Sequence, residues 1–234
     1  MACAYGLVDK ARVIIRNEHL EVNKTTQKTA SFRGQYVQRK EPSLIHAVLS
    51  GNTQLIEILA NHPDLAWNDK HSISLSSTKS FRVTAIAQAI RDGDSNMVKA
   101  FIPFYSAIEW ELEGYSLICS NLYWRQQEIQ AGNTQSAKEH LQIFKHLLDV
   151  PTLDWNKDGL LVSALALEDI EALVVIFKSP YLIYDLEATK RCSPRRKTVI
   201  DCIRRVKAEH RMTGMNFSDA VDWLIASLNH IDGK

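Results

Sequence analysis

Apolar residues recur along this chain at three- and four-residue spacing, in short runs that come in pairs. Leu44, Ile45, Val48 and Leu49 form one run, and Leu55, Ile56, Leu59 and Ala60 the next. Ala85, Ile86, Ala89 and Ile90 are followed in the same way by Met97, Val98, Phe101 and Ile102. This period belongs to helices buried along one face. It predicts helix pairs over 43–49 and 54–60, and over 84–90 and 96–102. Between the members of each pair stands a glycine, Gly51 or Gly93, suited to the left-handed turn that ends a helix. Asn52 and Asp94, like Asn133 after Gly132, suit the start of the following helix. Pro63, Pro151 and Pro180 come just after second helices and stop them.

The punctuation itself repeats. Pro63-Asp-Leu-Ala-Trp67-Asn68 returns as Pro151-Thr-Leu-Asp-Trp155-Asn156, and more loosely as Pro180-Tyr-Leu-Ile-Tyr184-Asp185. Ser50-Gly51-Asn52-Thr53-Gln54 is echoed by Ala131-Gly132-Asn133-Thr134-Gln135. Anchors at Gly6, Gly51, Gly93, Gly132, Glu168 and Gly214 are separated by 45, 42, 39, 36 and 46 residues. Such intervals are those of helical repeats. An array of this kind offers an extended surface in place of a reaction cleft, which favours binding over catalysis.

Two antiparallel helices per unit, small residues in the first and an extended connector resemble the ankyrin repeat. Pro42-Ser43-Leu44-Ile45-His46-Ala47 is similar to the family's Thr-Pro-Leu-His-x-Ala opening, with the histidine displaced by one position. Thr84-Ala85-Ile86 and Thr198-Val199-Ile200 are weaker versions, and Ala2-Cys3-Ala4-Tyr5-Gly6 resembles the middle of a first helix. Val22-Asn23, Trp67-Asn68 and Trp155-Asn156 resemble the closing Val-Asn. The resemblance implies an all-α, ankyrin-type solenoid of five to six degenerate units, one domain over 1–234. The units run about 1–23, 42–68, 84–111, 115–156, 159–185 and 198–230. By the same resemblance Trp67, Trp110 and Trp155 close repeats and pack between neighbours.

Departures from the repeat are individual to this chain. The connectors 24–41 and 69–83 are long, and in ankyrin arrays such connectors form fingers. Ser72-Ile-Ser-Leu-Ser-Ser77 alternates polar and apolar residues, so the second is expected to be a β-hairpin. The first helices of units four and six are longer by seven or eight residues, two helical turns. The first unit lacks the opening half of its helix, so either the chain is a piece of a larger protein or that helix is short. Ser218–Leu228, with Asp219, Asp222 and Ser227 on one side, has the look of a C-terminal cap.

Composition changes this picture little. The 234 residues are 45% hydrophobic, enough for a core, and no run approaches the length of a membrane-spanning helix. The N-terminus lacks a signal segment. Cys3, Cys119, Cys192 and Cys202 form no CxxC pair, so reduced thiols and a cytoplasmic setting are expected, with Cys119 and Cys202 buried and inert on apolar stretches. Formal net charge is +1, but residues 1–40 carry +5, 41–184 carry −7 and 185–234 carry +3. The excess near the C-terminus centres on 190–197, where Ser193-Pro194 is a candidate phosphorylation site. A basic run without interleaved aromatics argues against nucleic acid.

No nucleotide-binding, zinc-protease or paired-cysteine motif is present, and no cofactor, metal or catalytic residue is expected. Asp92-Gly-Asp94-Ser-Asn96 opens like a calcium loop, but Met97 and Pro103 stand where glycine and glutamate are needed. The reading is a monomeric protein-interaction module with another protein as partner. Phe32, Arg33, Tyr36 and Arg39 in the first finger, and Ile73, Leu75, Lys79 and Phe81 in the second, are the candidate contacts. Aromatic and arginine residues are the usual hot spots. Trp124, beside Tyr123 in the lengthened helix, is a further candidate. The style of the repeats is similar to ankyrin effectors of intracellular bacteria, which implies a host-cytosol setting. Two alternatives stand beside this reading: the targeting domain of a larger enzyme, and a phosphate or nucleic-acid binder using the basic ends.

Overall fold

Three glycines reverse the chain between paired helices. Gly51, Gly93 and Gly132 have φ of 67°, 71° and 77°, a region that a side chain disfavours. At the last two the reversal is a Schellman turn. Gly93 N–H donates to Ile90 C=O and Asp94 N–H to Ala89 C=O; Gly132 and Asn133 donate likewise to Ile129 and Glu128. The following helix starts on a side-chain cap at one of the three expected residues. Asp94 accepts from Met97 N–H at 2.9 Å, whereas Asn52 accepts from Gln54 N–H and the Asn133 amide donates to Glu128 instead.

The structure is a computed structural model and describes residues 7–16, 21–23, 26–32, 35–74, 80–112, 114–150, 160, 163–164, 167 and 169–178. At 26–32, 35–41, 73–74, 80–81, 112, 170, 174 and 177–178 it describes the backbone. The described residues are mostly helical. By compactness the chain divides into Met1–Gly114 and Tyr115–Lys234.

The first unit contains α1 (Val8–Ile14), α2 (Ser43–Leu49), α3 (Gln54–Ala60), α4 (Ala85–Arg91) and α5 (Ser95–Phe101), followed by a 3-10 turn over Ile102–Ala107. Helix α2 packs on α3 and α4, and α3 packs on α1 and α5. Small residues allow the close approach: Ala47, Ala85, Ala87 and Ala89 are fully buried, among Ile45, Ile56, Ile86, Ile90, Met97 and Phe101. Thr84 caps α4 by accepting from Ala87 N–H.

The segments that follow the second helices are tied together by asparagine side chains. The Asn23 amide donates to Asp64 C=O and accepts from Ala66 N–H at 2.8 Å. Further along the same unit, the Asn68 amide donates to Ala107 C=O at 3.0 Å and accepts from Glu109 N–H at 2.8 Å. Between these peptide groups Leu65 and Ile108 are buried. Trp67 is half-buried and stacks on Phe104 with centroids 4.9 Å apart. Trp110 is buried and its indole N–H donates to Tyr105 C=O. Trp155 lies outside the described residues.

Both long connectors are β-ribbons, which corrects the expectation of one. Strands β1 (Thr26–Phe32) and β2 (Gln35–Glu41) pair antiparallel, as do β3 (His71–Ser74) and β4 (Ser80–Val83). The first connector hides its strands because it does not alternate polar and apolar residues. What it has is Thr26, Thr29, Phe32, Tyr36 and Val37, residue types that suit strands, on either side of Arg33-Gly34. Strand β2 lies against β3. A two-residue strand, β5 (Glu111–Leu112), ends the unit.

The second unit opens with β6 (Tyr115–Ser116) and contains α6 (Leu117–Gln130), α7 (Thr134–Leu148) and α8 (Ile170–Lys178), with α7 packed between the other two. Helices α6 and α7, of 14 and 15 residues, are twice as long as α2 to α5 at seven, so both members of this pair are extended and not the first alone. Ile118, Leu122, Ile143, Phe144, Leu147, Leu173 and Ile176 fill its core. Units beyond 178 lie outside the described residues.

Two stability outcomes follow. Leu59 and Leu148 both end second helices and are buried at 3% and 4% exposure; the Phe177 side chain, expected to match them, lies outside the described residues. Leu59→Ala and Leu148→Ala should each lower unfolding free energy by about 2–5 kcal/mol, measured by chemical denaturation. A Cβ on Gly132 meets nothing within 4 Å, so Gly132→Ala should cost only the left-handed strain, about 1–2 kcal/mol.

Candidate interaction site

The first ribbon sorts its residues by register. The Cα pairs run from Thr26↔Glu41 at the base, through Lys28↔Arg39 and Ala30↔Val37, to Phe32↔Gln35 at the tip. Strand alternation puts these positions on one face. The intervening pairs, Gln27↔Lys40, Thr29↔Gln38 and Ser31↔Tyr36, belong to the other. Phe32 and Arg39 therefore occupy one face and Tyr36 the opposite one, so the candidate residues of this finger are not a single cluster. Arg33 lies outside the described residues. In the second ribbon Ile73 and Phe81 are direct partners, while Leu75 and Lys79 lie outside the described residues.

Lys28 was not anticipated as a site residue. Its signal is legible only once the strands are paired, because Lys28 and Arg39 are eleven positions apart in the chain. Like charges directly opposite one another weaken a ribbon. Five cations, Lys24, Lys28, Arg33, Arg39 and Lys40, against one carboxylate, Glu41, give residues 24–41 a net +4.

The other candidate, Trp124, is half-buried on α6 beside Tyr123, which is 55% exposed. Helix α6 is held by a polar cluster on its inner side. Asn121 and Arg125, one turn apart, are both buried. The Asn121 amide donates to His140 C=O at 2.9 Å, so its oxygen accepts from His140 Nδ1–H at 2.9 Å. Arg125 Nε donates to Asp169 Oδ2 at 2.7 Å, and the guanidinium also reaches Ala137 C=O and Glu171. Asp169 in turn caps α8 by accepting from Ala172 N–H at 3.0 Å. One arginine thus joins α6, α7 and the start of α8, and fixes the helix that presents Tyr123 and Trp124.

Burial pushes the His140 imidazole below its ordinary value of 6.5; Glu128 opposes this and Arg125 adds to it. Cys119, expected to be buried, is half-buried on α6. Among the described residues no group of three or more His, Cys, Asp or Glu side chains is placed to hold a metal ion. No described helix is long and apolar enough to cross a membrane. The arrangement joins two antiparallel ribbons to one group of packed helices, and in the second unit sets Tyr123 on a helix surface.

The polar cluster makes measurable demands. Asp169→Asn keeps an acceptor for the α8 cap but takes from Arg125 its buried carboxylate, leaving only the exposed Glu171, and should cost about 3–5 kcal/mol. Glu171→Gln, at a side chain 67% exposed, should change stability by less than about 1 kcal/mol. His140 has a lowered pKa when folded, so the unfolded chain binds its proton more readily. Its contribution to stability is complete above 6.5 and is lost as pH falls below that value towards the folded pKa. Denaturation midpoints across pH 7.5–5 should fall more steeply for the wild type than for His140→Gln.

No family model matches the chain, and no curated protein matches it. Geometry, rather than kinship, carries the functional reading.

Proposed function

We propose that this chain is an ankyrin-type solenoid that binds another protein through its ribbons. The observation that carries the reading is the order of packing in the first unit. Second helices α1, α3 and α5 stack in sequence, first helices α2 and α4 stack beside them, and β2 lies against β3. Helix stacking of like on like, with connectors side by side, is how a repeat array grows. The asparagine ties at Asn23 and Asn68 support the same reading, because they recur at equivalent positions. The proposed array extends over 1–234 in the six units named from the sequence.

Binding falls to the ribbons because they carry Phe32, Tyr36, Arg39, Ile73 and Phe81, with aromatic and arginine residues of the kinds that dominate interfaces among them. Loops on a rigid scaffold are where recognition residues concentrate.

The test begins with affinity capture and identification of the partner, followed by titration with the purified protein. Changing Phe32, Arg33 and Tyr36 together to alanine should leave the melting temperature unchanged and weaken binding at least about tenfold, or 1.4 kcal/mol. Unimpaired binding by that variant moves the site to α6 around Trp124.

A further inference from the structure

The first ribbon carries more information about its partner than its length alone. Four features coincide on it. Lys28 and Arg39 are opposed in register, an arrangement that repels and is relieved by an anion. On the same face, towards the tip, come Ala30↔Val37 and then Phe32, all apolar positions. Strand β2 is backed by β3. The other edge of β1 pairs with no strand among the described residues, and an unpaired edge is a template for strand addition.

We infer that β1 receives an extended acidic peptide segment of the partner, added as a third strand, in which a carboxylate is followed by apolar residues at alternate positions. This deepens the interaction reading above and rests on it. A strand added at this edge shares the faces of β1, so its side chains at alternate positions meet Lys28, then Ala30, then Phe32. Its carboxylate stands one strand from Lys28 and two strands, about 9.5 Å, from Arg39. Both lie within the screening length of about 10 Å at 0.1 M salt. Glu41 occupies the next pair towards the base, so the positions on this face sum to a formal +1. A peptide fits better than a nucleic acid because Ala30, Phe32 and Val37 follow the cations on this face, Glu41 would repel phosphate, and the chain as a whole carries only +1.

The experiment uses the full chain and a fluorescein-labelled peptide with glutamate, leucine and leucine at alternate positions, spaced by threonine. Fluorescence anisotropy should show binding that weakens as salt is raised. Replacing the glutamate with glutamine should weaken it at least about tenfold. Lys28→Glu with Arg39→Glu keeps like charges opposed, so the melting temperature should hold while the glutamate peptide loses at least about tenfold and its lysine counterpart gains as much. Lys28→Glu alone creates an opposite-charge pair and should raise the melting temperature.

Failure of the glutamate peptide to bind, or equal binding of its glutamine form, overturns the inference. So does a fluorescein-labelled thymidine oligonucleotide that binds more tightly and displaces the peptide. If the triple alanine variant loses the captured partner while the glutamate peptide does not bind, the interaction reading stands and this inference alone fails. If the peptide binds as expected while the triple variant keeps its partner, the ribbon's chemistry stands and the captured partner docks elsewhere.

Discussion

A side-chain amide that donates and accepts at once sets the spacing of the first unit. Asn23 bridges the carbonyl of Asp64 and the N–H of Ala66, and Asn68 bridges Ala107 and Glu109 in the same way. Two peptide groups two residues apart are held by one planar group, so the tie fixes position and orientation together. Hydrophobic contact between α1, α3 and α5 supplies the driving force but is tolerant of sliding; the amide is not. With the closing segments fixed this way, the intervening chain is free to vary. That is why 24–41 and 69–83 can grow into ribbons without disturbing the helices beneath them. At the third equivalent position stands Glu111. A carboxylate has no N–H to donate, so the same tie cannot be made there.

The second unit solves the same problem with charge. Arg125 and Asp169 are 3% and 2% exposed, and withdrawing both from water is costly. The cost is offset by use of the guanidinium on three partners, Asp169, Ala137 and Glu171, and by the second task of Asp169 as cap of α8. Asn121 and His140 complete the cluster one turn away, with His140 kept neutral by burial. An apolar substitute would pack the three helices, but it would not choose their register. The polar cluster does, because each donor has one acceptor at the right place.

What the sequence revealed follows from the range of each signal. Helical period and turn residues act over a few positions, so α2 and α3 have the residues expected of them and α4 and α5 lie within one. The glycine reversals at Gly51, Gly93 and Gly132 were legible because a positive φ favours one residue type. The Arg125–Asp169 pair was not, since its members are 44 positions apart and Arg125 reads locally as the polar continuation of Tyr123-Trp124. The first ribbon was missed for a related reason: Thr26 and Glu41 meet across the chain, and only pairing reveals which residues share a face. Even the candidate contacts changed meaning through register, which separates Tyr36 from Phe32 and brings in Lys28.

The ribbons and the helices answer to different constraints. Substitutions in the helical core act on folding directly, since Ile56, Ala87 and Ile143 leave no room. Like charges at the opposed positions Lys28 and Arg39 cost their ribbon roughly 0.2–1 kcal/mol. Helices held by amide ties and buried apolar faces can therefore carry a ribbon that is poor in self-stabilisation, as the proposed binding role requires. A ribbon weakened by opposed cations, whose β1 edge pairs with no strand among the described residues, would gain most from a complementary strand.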